Sequence, residues 1–393
     1  MARIALWISI LIAFASAAMA QEVVIKTAVL RVEQGKPLPL TRIERDPADI
    51  GFAGAAVGLD DNNTTGRFLK HNYEAVEIDT TPDQAVSAAE AAVADGASVL
   101  LVMADADTVL ALADRFAGQN VLVMNAEATD DRLRQADCRA NVLHIAPSRA
   151  MLTDGLAQYM VWKQWTDWFL IRGSHSEDGL KAEAYRRSAR KFGARIVEER
   201  VFEDTGGARR SDSGHVQVQR QMPVFTQRAE DHHVVVAADE NAVFAAYLPY
   251  RTWEARPVVG DAGLITRNWH PAHEGFGGTQ MQTRFEKKAD RPMRDLDYQA
   301  WTAMRVLGEA VTRAQTADIA ALKAFILSPD FKLAAFKGQP LNFRPWNNQL
   351  RQGIVLADGR TVVSISPQDE FLHKNTRLDT LGVDEPESEC TFP

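Results

Sequence analysis

Carboxylates stand where short apolar runs end, and they are the groups in this chain best placed to do chemistry. Val99 to Met103 gives way to Ala104-Asp105-Ala106-Asp107-Thr108, and Val121 to Met124 gives way to Asn125-Ala126-Glu127-Ala128-Thr129. Runs this short and this rich in Val and Leu read as strands buried on both faces of a parallel sheet. Between them Val109, Leu110, Ala113 and Phe116 recur at helical spacing, with Gly118 at the C′ position. The unit is β-α-β, and ligands of such units bind at the carboxyl ends of the strands. Asp107 is expected to cap the helix. That leaves Asp105 and Glu127 on neighbouring strand ends, flanked by the hydroxyls of Thr108 and Thr129. A shared cation, an amine or a polyhydroxyl compound would suit them. Further on, Asp239-Glu240 follows the run His233 to Ala237, and Asp261 follows Pro257 to Val259. Carboxylates gathered from both regions would repel one another unless a cation lay between them. Ca²⁺ or a trivalent lanthanide, taking about six to eight oxygens, could fill that role.

Other motifs carry less. His270-Pro271-Ala272-His273-Glu274 has the wrong order for a zinc-protease helix, and Pro271 makes it a loop. Trp253 and Trp269 lie near segments expected to border a cleft, where either ring could stack on a flat ligand. The chain has no nucleophile elbow, no phosphate-binding glycine loop and no dinucleotide fingerprint. Its two cysteines, Cys138 and Cys390, are too far apart for a metal or redox pair. The expectation is a binding protein without catalytic residues and without a resident cofactor.

The elements that must position these residues alternate along the chain. Val23 to Val32 reads as a strand, and Asp46-Pro47 as the start of a small-residue-rich helix able to pack closely on a sheet. Ala75 to Ile78 is a strand, and Thr81 to Gly96 a capped helix. The opening unit and a strand at Asn141 to Ala146 complete one β-α series, the pattern of a doubly wound parallel sheet. A second series follows. It comprises a helix through Met151 and Met160, a strand Trp168 to Ile171, a helix Ser176 to Phe192, a strand Arg195 to Val201, a loop Glu203 to Ser213, a helix Val216 to Phe225 and the two runs already named. After Gly278 the reading is a strand at Gln280 to Arg284, then helices Asp297 to Arg313 and Ile319 to Ile326. A hairpin of the I′ type turns at Asp358-Gly359.

Residues 1–20 read as a secretory signal peptide, with Arg3, an apolar core and Ala18-Met19-Ala20 before Gln21. Its loss takes the net charge from −8 to −9, since Arg3 is its one charged residue. That balance disfavours nucleic acid and anionic membrane as partners. No later stretch is long and apolar enough to embed in a membrane. An even cysteine count in an oxidising compartment is consistent with one disulfide, and two free thiols remain the alternative. The chain-entropy view values so long a loop at about 4–5 kcal/mol.

Taken together, the order resembles the type I periplasmic binding proteins, in the branched-chain amino-acid branch of ABC transporter receptors. SHSEDGLKAEAYRRSARKFGARIVEERV and LDYQAWTAMRVLGEAVTRAQTADIAALKAFI carry the resemblance, which spans Val23 to Pro367. EDTGGARRSD, RPVVGDAGL, NWHPAHEGFGGTQ and the DEPESEC tail look like a subgroup associated with PQQ-dependent alcohol dehydrogenase systems. The resemblance implies an α/β clamshell of two doubly wound parallel-sheet lobes joined by a three-strand hinge. Lobe 1 would comprise 21–146 and 276–345, lobe 2 147–275 and 346–371, with the tail 372–393 returning to lobe 1. It also implies a periplasmic, monomeric receptor that binds a small molecule in the interlobe cleft and docks on an ABC permease. The alternative role is an accessory or sensor protein of PQQ-dependent alcohol oxidation. His175 occupies the place where the family often has a tyrosine-glycine pair, so it joins the candidate ligand-binding residues, and Asp239 or Glu240 would meet a ligand ammonium.

Overall fold

The computed structural model describes residues 23–35, 45–205 and 212–392. The signal-peptide reading and part of the loop expected at Glu203 to Ser213 lie outside them.

The first lobe is built on β1 (Val23–Val32), α1 (Phe52–Leu69), β2 (His71–Thr80), α2 (Ala85–Ala94), β3 (Val99–Met103), α3 (Ala106–Arg115), β4 (Leu122–Asn125) and β5 (Val142–His144). These strands form one parallel sheet in the order β2-β1-β3-β4-β5. β3 and β4 are buried at every position, as continuous apolar runs covered by helices on both faces must be.

The chain then lays down α4 (Arg149–Trp162), β6 (Asp167–Gly173), α5 (Ser176–Phe192), β7 (Arg195–Phe202), α6 (Asp212–Thr226), β8 (Val234–Ala238), the short α7 (Leu248–Arg251), β9 (Val258–Gly260) and β10 (Leu264–Arg267). After them α8 (Gly278–Ala289), α9 (Asp295–Ala314) and α10 (Ile319–Ile326) return to the first core. β11 (Asn342–Phe343) and β12 (Leu350–Arg351) make a small ladder. β13 (Ile354–Ala357) and β14 (Val362–Ser366) then extend the second sheet antiparallel, giving β14-β13-β10-β9-β8-β6-β7. The fold is therefore α/β, with a doubly wound sheet in each of two lobes. Among the described residues no helix is long and apolar enough to cross a membrane.

Several local expectations are corrected. Gln280 to Arg284 lies in helix α8, because Met281 and Phe285, four residues apart, both face the first core. α1 begins at Phe52 instead of Pro47, since Gly51 takes φ 79° and ends the preceding turn. α1 also packs closely on α9, not only on the sheet. The turn at Asp358-Gly359 is not of the I′ type, for Gly359 has no positive φ. The Asp358 carboxylate instead accepts the N–H groups of Arg360 and Thr361, at 2.7 and 2.8 Å.

The cores show where the chain passes between lobes. Ile145 belongs to the first core and Met151 to the second, so the first passage is 146–150. The second falls at Asn268, not near 275, because Trp269 is buried in the first core. The third lies at 351–353, not near 345, because Leu350 is still in the first core and Ile354 in the second. Lys337, fully buried, ties the three together. Its amine donates to Asn268 Oδ1, to Gln352 Oε1 (3.2 Å) and to the Gly353 carbonyl (3.1 Å), and lies 4.6 Å from the Tyr298 ring centroid. Gln352 in turn donates to the Ile145 carbonyl at 2.7 Å.

Burial pushes the Lys337 ammonium from 10.5 down to about 7, against a weak opposing pull from Asp295. Between those values the unfolded chain holds a proton that the folded one lacks, so stability rises with pH across that window. Below pH 7 both states are charged and the burial penalty is complete. Urea titrations at pH 7, 8 and 9 should show the gap between wild type and Lys337→Met changing by up to ~1.4 kcal/mol per pH unit. Parallel curves would rule this out.

Candidate functional site

At the carboxyl edge of the first sheet, the extended backbone of Asp105 (φ −69°, ψ 171°) makes it the cap of α3, its carboxylate accepting the Thr108 N–H at 2.8 Å. The cap is thus Asp105 and not Asp107. Asp107 points outward and pairs with Arg132, and Thr108 is buried under the turn. After β4 the Asn125 side chain accepts the N–H groups of Glu127 (3.1 Å) and Ala128 (2.9 Å) and donates to the Ala128 carbonyl (2.9 Å). This local ring sets Glu127 at the edge. The Thr129 carbonyl accepts the Arg149 N–H at 2.7 Å.

In the second lobe each acid has an internal partner. Asp239 is buried, and its carboxylate accepts the N–H groups of Val243, Phe244 and Ala245 at 2.7–2.8 Å. Burial nevertheless raises its pKa, and those N–H groups oppose the rise. Its own N–H donates to Asp261 at 2.6 Å, and Asp261 also pairs with the buried Lys181. Burial pulls the Lys181 ammonium down, but Asp261 and Glu240 hold it above the ordinary lysine value. Glu240 takes a two-pronged pair from Arg149, Nε and Nη2 each at 2.8 Å. Arg149 Nη1 reaches Asp130 of the first lobe at 3.3 Å. One guanidinium therefore touches the segment after β4 and the segment after β8, so the carboxyl edges of the two sheets face each other. His175 precedes α5, and its Nε2 lies 2.9 Å from Asp204.

The sheet edge carries a cleft of about 520 Å³, lined by Arg31, Glu33, Gln34, Asp46, Asp79, Thr80, Thr81 and Glu127 among others. Of the residues expected from sequence, Glu127 alone lines it. Asp239, Glu240, Asp261 and His175 do not, and Trp269 is stacked on Tyr298 at 5.0 Å inside the first core, its Nε1 donating to Gln282. Trp269 is buried and does not line this cleft, unlike the cleft-facing ring expected from sequence.

Sequence reading missed Arg31 and Asp79. Arg31 donates to Asp79 from Nε (3.1 Å) and Nη2 (2.5 Å) and to the Ala48 carbonyl (2.8 Å), with its guanidinium over the Phe52 ring. Hydrogen bonding to Arg31 holds the Asp79 carboxyl below its ordinary value. An arginine at the end of the apolar run Val23 to Val32 was the available signal. Among the described residues its lining holds one guanidinium and four carboxylates, an excess of acceptors that suits ligands presenting donors, ammonium or hydroxyl, over anions. Among the described residues no group of three or more His, Cys, Asp or Glu side chains could hold a metal ion. The strand-end acids, once expected to need a cation, mostly hold arginine, lysine or backbone N–H instead.

A sequence profile for a family described as "Periplasmic binding protein" matches residues 50–209. No curated protein matches significantly. Among solved structures, the leucine-, isoleucine-, valine-, threonine- and alanine-binding protein from Brucella ovis, in a closed conformation, superposes with TM-score 0.70. It is 14% identical, over 94% of this chain and 99% of that one. The fold is that of a type I periplasmic binding protein. A branched-chain amino acid ABC transporter periplasmic ligand-binding protein from Burkholderia xenovorans gives TM-score 0.68 at 15% identity, over 87% and 95% of the two chains. An ABC transporter solute-binding protein from R. palustris, in complex with benzoate, gives 0.65 at 12%, over 94% and 99%.

Proposed function

We propose that this chain is the solute receptor of an ABC importer, exported to the periplasm by residues 1–20 and acting as a monomer. It would bind a small molecule between the lobes and present it to a membrane permease. The observation that carries this reading is the pair of facing carboxyl edges, bridged by Arg149, on a two-lobed fold shared with solute-binding proteins. No enzyme activity is needed, since lobe closure on a ligand is a population shift driven by its higher affinity for the closed state. Glu127 and the Arg31–Asp79 pair would contact the ligand directly, with Asp105 and Thr108 fixing the neighbouring turn after β3. Asp107, Thr129, His175, Asp239, Glu240 and Asp261 would act by holding the edges in place. The acidic lining favours a ligand that carries positive charge or presents hydroxyl donors, an organic cation or a polyol in the first instance. The finer reading, a receptor or accessory protein of PQQ-dependent alcohol oxidation, rests on the 203–212, 256–264, 268–280 and 384–390 segments.

A thermal-shift screen of amines, polyols, short alcohols, aldehydes, carboxylates, amino acids, PQQ, Ca²⁺ and La³⁺ tests it. A ligand at a hundred times its dissociation constant should add about 2.7 kcal/mol. Glu127→Gln should weaken the hit, and binding by a metal alone, or by nothing in the screen, would overturn the proposal.

A further inference from the structure

The C-terminal segment is more than a tail. Gly382 N–H donates to the buried Asp154 at 2.8 Å, and the Gly382 carbonyl accepts from Arg187 and Lys191, each at 2.8 Å. The Thr380 hydroxyl accepts from Gln158 at 2.8 Å, and Leu381 is wholly buried in the second lobe's core. The third passage and the first-lobe ladder before it grip the same segment. Arg344 and Arg351 both pair with Asp379, at 2.9 and 2.7 Å, and Arg344 also donates to the carbonyls of Leu378 (3.0 Å) and Leu381 (2.6 Å). Eight residues beyond Gly382 the chain is fixed to the other lobe. Cys390 is bonded to Cys138, and the Glu389 N–H donates to Gln135 Oε1 at 2.8 Å. Cys138 itself sits on the first lobe, where neighbouring Arg139 pairs with Asp114 and Asn141 donates to the Ala113 carbonyl, both on α3.

We infer that residues 376–390 form a covalent strap, a fourth connection between the lobes, and that it limits how far they rotate apart. Eight extended residues reach about 26–29 Å, and the three beyond Glu387, which pairs with Arg187 at 3.2 Å, reach about 10 Å. The three passages bend as a hinge, whereas the strap starts from a buried polar anchor and ends in a covalent bond. Opening beyond its reach must pull Gly382 out of the Asp154 socket. The strap thereby trims the widest-open arrangements from the ligand-free ensemble, which removes part of the conformational cost of binding. The inference rests on the two-lobed fold and not on the transport reading.

The test compares oxidised wild type, wild type reduced with a phosphine, and Cys390→Ser, all without added ligand. Small-angle scattering should give a larger radius of gyration for the two unbonded forms, with circular dichroism unchanged. Amide exchange at 146–150, 268 and 351–353 should speed up by about tenfold or more. Should Cys390→Ser fail to fold, the reduced wild type decides alone. Equal radii and equal exchange in oxidised and reduced protein would overturn the strap.

Discussion

Asp154→Ala should cost about 3–5 kcal/mol of stability, the loss expected when one member of a buried ionic cluster is removed. Asp154 is fully buried on α4. Its carboxylate receives Lys191 at 2.9 Å, Arg187 at 3.1 Å, the Ser188 hydroxyl at 2.6 Å and the Gly382 N–H at 2.8 Å. Burial already holds the Lys191 ammonium below its ordinary value with Asp154 beside it. Without that carboxylate two cations from α5 face the Thr380 and Gly382 carbonyls with only the half-exposed Glu387, 3.2 Å from Arg187, as countercharge. Urea unfolding at pH 7 measures the loss, and a change under about 1 kcal/mol would place the cluster among weak surface pairs. The same variant should expose residues 376–389 to limited proteolysis well before the rest of the chain.

Gly54→Ala should be nearly as damaging, through sterics alone. A Cβ at Gly54 would stand 1.9 Å from the Asp297 carbonyl oxygen and 2.6 Å from its carbon, so α1 and α9 touch backbone to backbone. Gly58 repeats the contact one turn on, with Met304 Cβ at 2.6 Å. The displaced partner would be α9 at its first turn, where Asp297 accepts the Gly51 N–H at 2.8 Å and pairs with Arg291 at 2.7 Å. Overpacking against rigid backbone puts the loss at about 3 kcal/mol or more. Gly179→Ala in α5 is the control: nothing lies within 4 Å of its Cβ, and helix propensity predicts a gain of about 0.5–1 kcal/mol. Equal effects at the two positions would refute the packing argument.

Strands were legible wherever their residues are buried on both faces, as in β3, β4 and β8, because a continuous apolar run of that length has few other uses. α8 was not, since Gly275 to Gly278 obscures its start and only Met281 and Phe285 mark its inner face. Trp269 shows a different limit. An aromatic beside an interlobe passage can turn to the cleft or to the core, and its stacking on Tyr298 decides the matter through a residue 29 positions later. The acids at the strand ends were found, but their partners were not. Arg149 meets Glu240 across 91 residues and Lys181 meets Asp261 across 80, separations that only the folded chain closes. Asp239 is the instructive exception. The N–H groups it accepts lie four to six residues on, a local acceptor turn that its own segment could have disclosed.

The bond between Cys138 and Cys390 also closes a covalent ring, with a sequence separation of 252. All three interlobe passages, the entire second sheet and helices α8 to α10 lie inside it. A single peptide cut anywhere in that ring leaves one covalent molecule, and a nicked protein would run as intact in non-reducing electrophoresis until thiol is added. Damage to a surface loop of the second lobe is thus separated from loss of that lobe, a tolerance that a chain closed only by its fold would not have.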